Sequence, residues 1–180
     1  MYILASSSPR RKELLHTLID DFKIIPPNVD ENIEVNDTTE LPLKLSTLKA
    51  TNVFKDNKDD IILASDTIVL IDNKILGKPK DNDEAYQMLK LLSNKEHKVI
   101  TGYTLISKEK FVCRKITSTV IFNELSDDLI NSYIASGSPM DKAGAYGIQD
   151  NDNFNLIKSF KGSYSNVMGL PLEDLKNYIY

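Results

Sequence analysis

Hydrophobic and polar positions in the first fifteen residues predict a short strand followed by a helix. Residues 2–5 form an apolar run, which is typical of a buried strand, and residues 6–8 are three serines that end it. Pro9 then occupies the position of a first helical residue, with Ser8 as the N-cap, and leucines continue one face of the helix. A strand, a polar turn and a helix N-terminus together form a suitable binding site for an anion.

Arg10 and Arg11 fall in the first turn of this predicted helix. Cations at that position oppose the helix dipole by about 0.3–1 kcal/mol each, so folding alone gives no reason for two arginines there. A bound polyanion would reverse the sign of that effect, and residues that break a local rule are often functional. A solvated arginine pair on an exposed helix end explains these residues equally well.

The run Ile61–Ile71 is the strongest predicted strand, and it is apolar on both faces, as in the centre of a covered sheet. Asp66 interrupts it, between Ser65 and Thr67. A carboxylate inside such a strand costs several kcal/mol unless it is paired, hydrogen-bonded or bound to a metal. A structural aspartate that accepts backbone hydrogen bonds is one explanation. We favour a site residue.

The rest of the chain alternates between strand and helix patterns. Predicted strands cover residues 22–25, 75–76, 98–107, 111–122 and 155–160, and the third and fourth of these form a hairpin. Predicted helices cover residues 41–54 and the segments capped by Asp81 and by Ser126. In the first of these helices, Lys49 lies just beside the apolar face and is free to lean over the edge of the core; that face consists of Leu41, Leu45, Leu48 and Phe54. The sequence contains no internal repeat and no linker.

Residues 142–149 are rich in glycine and other small residues and end at Gln149. Small residues allow the main chain to approach a flat ligand closely, and the Gln149 amide offers a donor and an acceptor to a base edge. A plain turn explains this composition at least as well.

Composition narrows the class of protein. A chain of 180 residues with 41% hydrophobic and 27% charged residues predicts one domain with a full core. The apolar runs are too short for a signal peptide or a membrane span, so we expect no membrane association. One cysteine, Cys113, suits a reducing cytoplasm. The net charge of −4 argues weakly against nucleic-acid binding.

The side chains available for chemistry favour a phosphorylated ligand. The two histidines are not at ligand spacing, which excludes a Cys/His zinc site and disfavours Ser-His-Asp catalysis, and neither a Walker nor a dinucleotide glycine motif occurs. What remains are the carboxylates Glu31 and Asp66 and a set of cations, namely Arg10, Arg11, Lys49, Lys78 and Lys158. This set suits a nucleotide polyphosphate with a hard divalent metal, since a carboxylate near the metal can activate water.

Taken together, the motifs resemble the Maf proteins, the septum-formation-inhibitor family of nucleoside triphosphate pyrophosphatases. The matching segments are ASSSPRRKELL (5–15), Asp30-Glu31, Lys49-Ala50, ASDTIV (64–69), GKPKD (77–81), DKAGAYGIQ (141–149) and KSFKGSYSNVMGLPL (158–172). They cover nearly the whole chain in order, which makes the resemblance highly specific.

The resemblance implies an α/β fold: an elongated, twisted mixed β-sheet flanked by helices, with two lobes and a central cleft, in one domain over residues 1–180. It also implies hydrolysis of a nucleoside triphosphate to the monophosphate and pyrophosphate, dependent on Mg²⁺ or Mn²⁺. Such an enzyme would cleanse the cytoplasmic nucleotide pool and could be linked to cell-division arrest. Members often form homodimers, so a homodimer is compatible with the resemblance.

The resemblance further implies roles for individual residues. Asp66 is expected to be the catalytic base and, with Glu31, a metal ligand. Substrate-binding residues are expected to be Ser6, Arg11, Lys49, Lys78 and Lys158. Arg10, Thr67 and Gln149 mark the subgroup that prefers dTTP and UTP over 7-methyl-GTP.

Two alternatives remain open at this point. One is a non-catalytic regulator of septum formation that binds nucleotide or nucleic acid. The intact set of Asp66, Glu31 and Lys49 argues against lost catalysis, and the acidic balance argues against DNA. The other is an enzyme with a different nucleotide preference, including modified pyrimidines.

Overall fold

Seven strands within residues 1–179, the part of the chain described by this computed structural model, form one mixed β-sheet. Their bounds are β1 Tyr2–Leu4, β2 Phe22–Ile24, β3 Ile61–Ile71, β4 Lys74–Leu76, β5 Glu96–Ile106, β6 Phe111–Phe122 and β7 Ile157–Lys161. The order is β2-β1-β3-β5-β6-β7, with β4 also paired to β3. Strand β1 is parallel to β2 and β3, whereas the pairs β3–β4 and β6–β7 are antiparallel. The predicted α/β class and mixed sheet are confirmed.

Helices flank this sheet. Their bounds are α1 Pro9–His16, α2 Leu41–Phe54, α3 Asn82–Leu92, α4 Asp127–Ala135, α5 Asn151–Phe154, α6 Tyr164–Met168 and α7 Leu172–Leu175. Short 3₁₀ turns cover Thr38–Glu40, Ser138–Asp141, Ala143–Ala145 and Ile148–Asp150. Within residues 1–179, none of the helices has the length and apolar character required to span a lipid bilayer.

Three helices begin where the capping residues predict. The side-chain oxygens of Ser8, Asp81 and Ser126 each accept the backbone N–H three residues further along, at 3.4, 2.8 and 3.2 Å. Each bond satisfies an N–H group that has no partner inside its helix. Local sequence therefore determines these helix starts.

Contacts divide the chain into two compact units. The first contains residues 1–67, 100–116 and the chain from Gly169 onward, and the second contains residues 68–99 and 117–168. The first has a small core of Ile3, Ala5, Ala50, Val53, Ile62 and Ala64. The second has a larger one around Val69, Leu89, Leu92, Val120, Phe122 and Tyr133. A single domain with a cleft between two lobes stays a prediction.

Within the first unit, helix α2 lies directly against strand β5 at Gly102. A Cβ atom on Gly102 would lie 2.4 Å from both the carbonyl carbon and the carbonyl oxygen of Pro42. Real side chains do not approach backbone atoms this closely, so the contact requires glycine. It fixes the distance between the start of α2 and the sheet.

His97 lies in the core of the second unit, with 2% of its surface exposed. Its Nε2 atom is 2.6 Å from the hydroxyl of Tyr146, and its ring packs edge-on against Phe122 with centroids 5.1 Å apart. Burial lowers the pKa of His97 from 6.5 to about 4. The imidazole is therefore neutral in the folded protein at physiological pH.

We expect the free energy of unfolding to fall as the pH drops from 6.5 to about 4. The unfolded chain takes up a proton on His97 in this window and the folded chain does not, so stability rises with pH there and levels off above it. One such proton contributes a slope of up to about 1.4 kcal/mol per pH unit.

Urea unfolding at several pH values measures this slope. His97→Gln should flatten it, whereas His16→Gln, which changes an exposed histidine, should leave it as in the wild type. Equal slopes in the two variants would contradict the assignment.

Candidate active site

Asp66 lies in the middle of β3, which is itself in the interior of the sheet between β1 and β5. It is 8% exposed, and its Oδ1 atom is 2.7 Å from the ammonium of Lys49. The same ammonium lies 3.1 Å from Oε1 of Glu31, whose side chain is 56% exposed. The carboxylate that interrupts the apolar strand is therefore paired with a cation that it shares with a second carboxylate.

The position of Lys49 differs from the expectation that it would lean over the edge of the core. Its side chain is only 9% exposed and lies in the middle of the buried face of α2, whereas Leu48 is 36% exposed. The pairing with Asp66 and Glu31 is the physical reason, since a buried ammonium is stable only with such partners. The buried face of α2 is turned by one residue from the predicted one.

Glu31 and Asp66, the predicted metal ligands, both contact the ammonium of Lys49, and their role in binding a metal stays a prediction. Groups of three or more His, Cys, Asp or Glu side chains able to hold a metal do not occur in residues 1–179. Mg²⁺ commonly uses one or two carboxylates and completes its shell with water and substrate phosphate oxygens. The pair therefore suits a hard cation that arrives with a phosphate.

Arg11 is fixed by the backbone and by a threonine. Its Nε donates to the carbonyl of Gly169 at 2.9 Å and its Nη2 donates to Oγ1 of Thr67 at 3.2 Å. Ser65 also donates to the Gly169 carbonyl, at 2.8 Å, and Thr67 is hydrogen-bonded to Thr101 at 2.9 Å. The first two contacts restrict the guanidinium directly, and the other two hold the groups to which it donates.

Electrostatics link Arg11 to the carboxylates. Burial lowers the pKa of the Arg11 guanidinium, and the negative charges of Asp66 and Glu31 act in the opposite direction. The neighbouring charge of Arg10 lowers it further. The guanidinium stays charged at neutral pH because arginine titrates only in strong base. Two cations and two carboxylates thus interact in one part of the first unit.

The remaining predicted site residues fall into two groups. Ser6, which is buried, accepts the backbone N–H of Ser8 at 3.2 Å in the turn before α1. Lys78, Gln149 and Lys158 belong to the second unit, where Lys78 and Lys158 are exposed and Gln149 lies in the turn Ile148–Asp150. That these three act with the first unit's residues stays a prediction.

Sequence reasoning did not single out Thr101 or Gly169. Thr101 is an ordinary strand residue by pattern, and only the pairing of β5 beside β3 brings it to Thr67. Gly169 has a φ of 114°, in the left-handed region that favours glycine. Its position in a segment with the sequence MGLP was the one available signal for a special backbone.

A comparison with protein families adds to this geometry, since the family model described as "Maf-like protein" matches residues 1–180. The chain belongs to the Maf family. Among curated relatives, the "dTTP/UTP pyrophosphatase" of Thermococcus onnurineus is 46% identical over 96% of this chain and 93% of its own length. The protein of the same name from Carboxydothermus hydrogenoformans is 48% identical over 96% and 93%.

A solved structure supports the fold of this Maf protein. The Ham1 protein of Staphylococcus aureus superposes with a TM-score of 0.52, and the superposition covers 85% of this chain and 90% of the Ham1 chain. Its sequence is 13% identical, so this likeness concerns the fold alone.

Proposed function

We propose that this Maf protein hydrolyses dTTP and UTP to the nucleoside monophosphate and pyrophosphate. Its curated relatives from T. onnurineus, C. hydrogenoformans and Bacillus cereus, 46%, 48% and 44% identical, are named for this activity. The structural observation that carries the proposal is the buried Asp66, held at 2.7 Å by Lys49 beside Glu31. Folding does not require a buried carboxylate paired with a lysine in the middle of a sheet, whereas hydrolysis requires a positioned carboxylate that can accept a proton.

Asp66 is the proposed base. Its carboxylate takes a proton from the water that attacks the α-phosphorus, and pyrophosphate leaves. Lys49 keeps the carboxylate in place through the 2.7 Å contact. Along β3, strand β1 pairs with Ile61–Leu63 and strand β4 with Val69–Ile71, so Asp66 lies between these two pairings.

The cations of the site offset the charge of the triphosphate. A single ion pair near 4 Å is worth only about 1 kcal/mol in water and about 4 kcal/mol in a protein-like dielectric, so several converging cations are required. In our proposal these are Arg11, Lys49, Lys78 and Lys158, with Ser6 in the turn that binds phosphate oxygens. Glu31 and Asp66 would hold a divalent cation, Mg²⁺ or Mn²⁺, which when bound would neutralise further phosphate charge.

The proposal extends to the setting of the enzyme. We place its activity in the cytoplasm, on free nucleotides, as cleansing of the nucleotide pool with a link to cell-division arrest. Neither a membrane nor a nucleic acid is needed as a partner, and a homodimer is compatible with the family.

A pyrophosphate-release assay with Mg²⁺ or Mn²⁺ tests the function directly. The panel contains dTTP, UTP, dCTP, the purine triphosphates, 7-methyl-GTP and modified pyrimidine triphosphates. We expect dTTP and UTP to be the best substrates, with pyrophosphate rather than phosphate as product. Binding without turnover of any nucleotide would contradict the proposal and favour the non-catalytic regulator.

Replacing Gln149 with Glu should lower kcat/KM for dTTP and UTP by about tenfold or more. An ionised carboxylate accepts hydrogen bonds but donates none, so it repels the carbonyl at O4 that thymine and uracil share. Gln87→Glu, which makes the same change on the exposed side of α3, is the control. An unaltered substrate profile in Gln149→Glu would refute the role.

Replacing Thr101 with Val should raise KM for dTTP about three- to tenfold, because Thr67 loses the hydrogen bond that orients it toward Arg11. Thr101→Ser keeps the hydroxyl and should restore the wild-type KM. Thr104→Val is the matched control, since Thr104 is equally buried on β5 but bonds to Ser46 at 3.0 Å. Similar KM values in the two valine variants would count against the role of Thr101.

A further inference from the structure

A buried tyrosine joins the two ends of the turn that carries Gln149. Tyr133, on α4, is fully buried, and its hydroxyl accepts the backbone N–H of Gly147 at 3.0 Å. The same hydroxyl donates to Oδ2 of Asp150 at 2.7 Å. Gly147 and Asp150 directly flank the pair Ile148–Gln149, so a single hydroxyl group closes this segment into a loop.

The Asp150 end of this loop is held from a second side. Oδ2 of Asp150 also accepts the hydroxyl of Ser138 at 2.6 Å. The ammonium of Lys142, which is itself buried, donates to the backbone carbonyl and to the hydroxyl of Ser138 at 2.5 and 3.0 Å. Burial and the bond to Asp150 both raise the pKa of Tyr133, so its hydroxyl stays protonated and remains a donor.

The Gln149 side chain packs against the backbone of this loop. A Cβ atom on Gly147 would lie 2.8 Å from the Cδ, Nε2 and Oε1 atoms of Gln149, so the amide lies where only glycine leaves room. Oε1 is buried and has no hydrogen-bond partner among the described residues. A buried acceptor without a donor is unfavourable by about 1–3 kcal/mol, and an N–H group of a ligand would relieve it.

We infer that Tyr133 is a positioning residue for recognition of the base, because its hydroxyl holds the Gly147–Asp150 loop and so fixes the Gln149 amide before the nucleotide binds. This inference rests on the proposed function. The matching ligand group is the imide edge of thymine and uracil, in which N3–H is a donor beside the carbonyl acceptor at C4. Cytosine lacks that donor, since its N3 is an acceptor, so a fixed amide discriminates between the two bases.

Tyr133→Phe tests this by removing one oxygen atom. We expect kcat/KM for dTTP to fall about tenfold, mainly through KM, and the ratio of dTTP to dCTP use to fall with it. Tyr103→Phe is the matched control, since Tyr103 is also fully buried and also donates to a carboxylate, Asp174, at 2.6 Å. The control should leave the ratio as in the wild type.

A double-mutant cycle separates positioning from a general loss of structure. If Tyr133 acts through Gln149, Tyr133→Phe should change the dTTP-to-dCTP ratio in the wild type and leave it unchanged in a Gln149→Ala background. Thermal unfolding establishes that each variant is folded. If Tyr133→Phe does not fold, Asp150→Ala replaces it in the same cycle, because it removes the acceptor at the other end.

The outcomes are distinguishable from failure of the proposed function. A wild-type protein that hydrolyses none of the nucleotides would overturn that function and this inference with it. If the wild type is active but Tyr133→Phe and Tyr103→Phe have the same ratio of dTTP to dCTP use, only the inference is overturned. Additive effects of Tyr133→Phe and Gln149→Ala would overturn it equally.

Discussion

Replacing Asp66 with Asn should lower kcat for dTTP by about a hundredfold or more, with the fold intact. The amide has nearly the same shape as the carboxylate but cannot take a proton from water. Lys49 keeps a partner in this variant, because Glu31 remains 3.1 Å from its ammonium. Steady-state pyrophosphate release at saturating dTTP measures kcat, and thermal unfolding measures the integrity of the fold.

Asp59→Asn provides the control for this variant. Asp59 is an exposed aspartate of the same unit, paired with Lys108 on the surface. Its replacement changes the net charge by the same amount and should leave kcat unchanged. Unchanged turnover in Asp66→Asn would remove Asp66 from the mechanism.

Replacing Gly102 with Ala should lower the free energy of unfolding by about 3 kcal/mol. The added methyl group would meet backbone atoms of Pro42 and Leu43 at 2.4–2.5 Å, and a helix backbone cannot rotate away as a side chain can. For a chain of this size the loss corresponds to a fall in Tm of roughly 6–12 °C. Urea and thermal unfolding measure the two quantities.

Gly77→Ala is the matched comparison. A Cβ atom there meets no atom within 4 Å, so we expect a change within about 0.5 kcal/mol of the wild type. If the two alanine variants were equally stable, α2 would not be held against β5 at Gly102 in the way described.

Local sequence was sufficient to predict many of the helices and strands. Ser8 and Pro9 determine the start of α1, and the eleven-residue run from Ile61 to Ile71 forms β3 with the predicted bounds. Capping and apolar periodicity act within a few residues of the chain, which is why they can be recognised without coordinates. Asp66 stood out for the same reason, as one charge in an apolar run.

Lys49 shows where periodicity misleads. A pattern of hydrophobic residues counts leucine as buried and lysine as exposed, and it therefore placed Leu48 on the buried face of α2. The partner that reverses this choice, Asp66, is 17 residues away in the sequence and on another element. Only the three-dimensional structure supplies that pairing.

Thr101 and Tyr133 show the same limit for positioning residues. The hydroxyl of Thr101 meets that of Thr67 across 34 residues of chain, and the hydroxyl of Tyr133 meets Asp150 across 17. Neither residue breaks a local rule, since a buried threonine in a strand and a buried tyrosine on a helix are ordinary. Their roles depend on which strand and which turn lie beside them.

The ammonium of Lys49, shared by Glu31 and Asp66, has a consequence for how the protein behaves between turnovers. Two acids brought together in a folded chain ordinarily repel each other until some counter-ion arrives from solution. Here the counter-ion is tethered to the chain and cannot diffuse away with the products. A chelator is therefore not expected to unfold this protein, because the charge of the buried Asp66 is balanced by a side chain of the same chain.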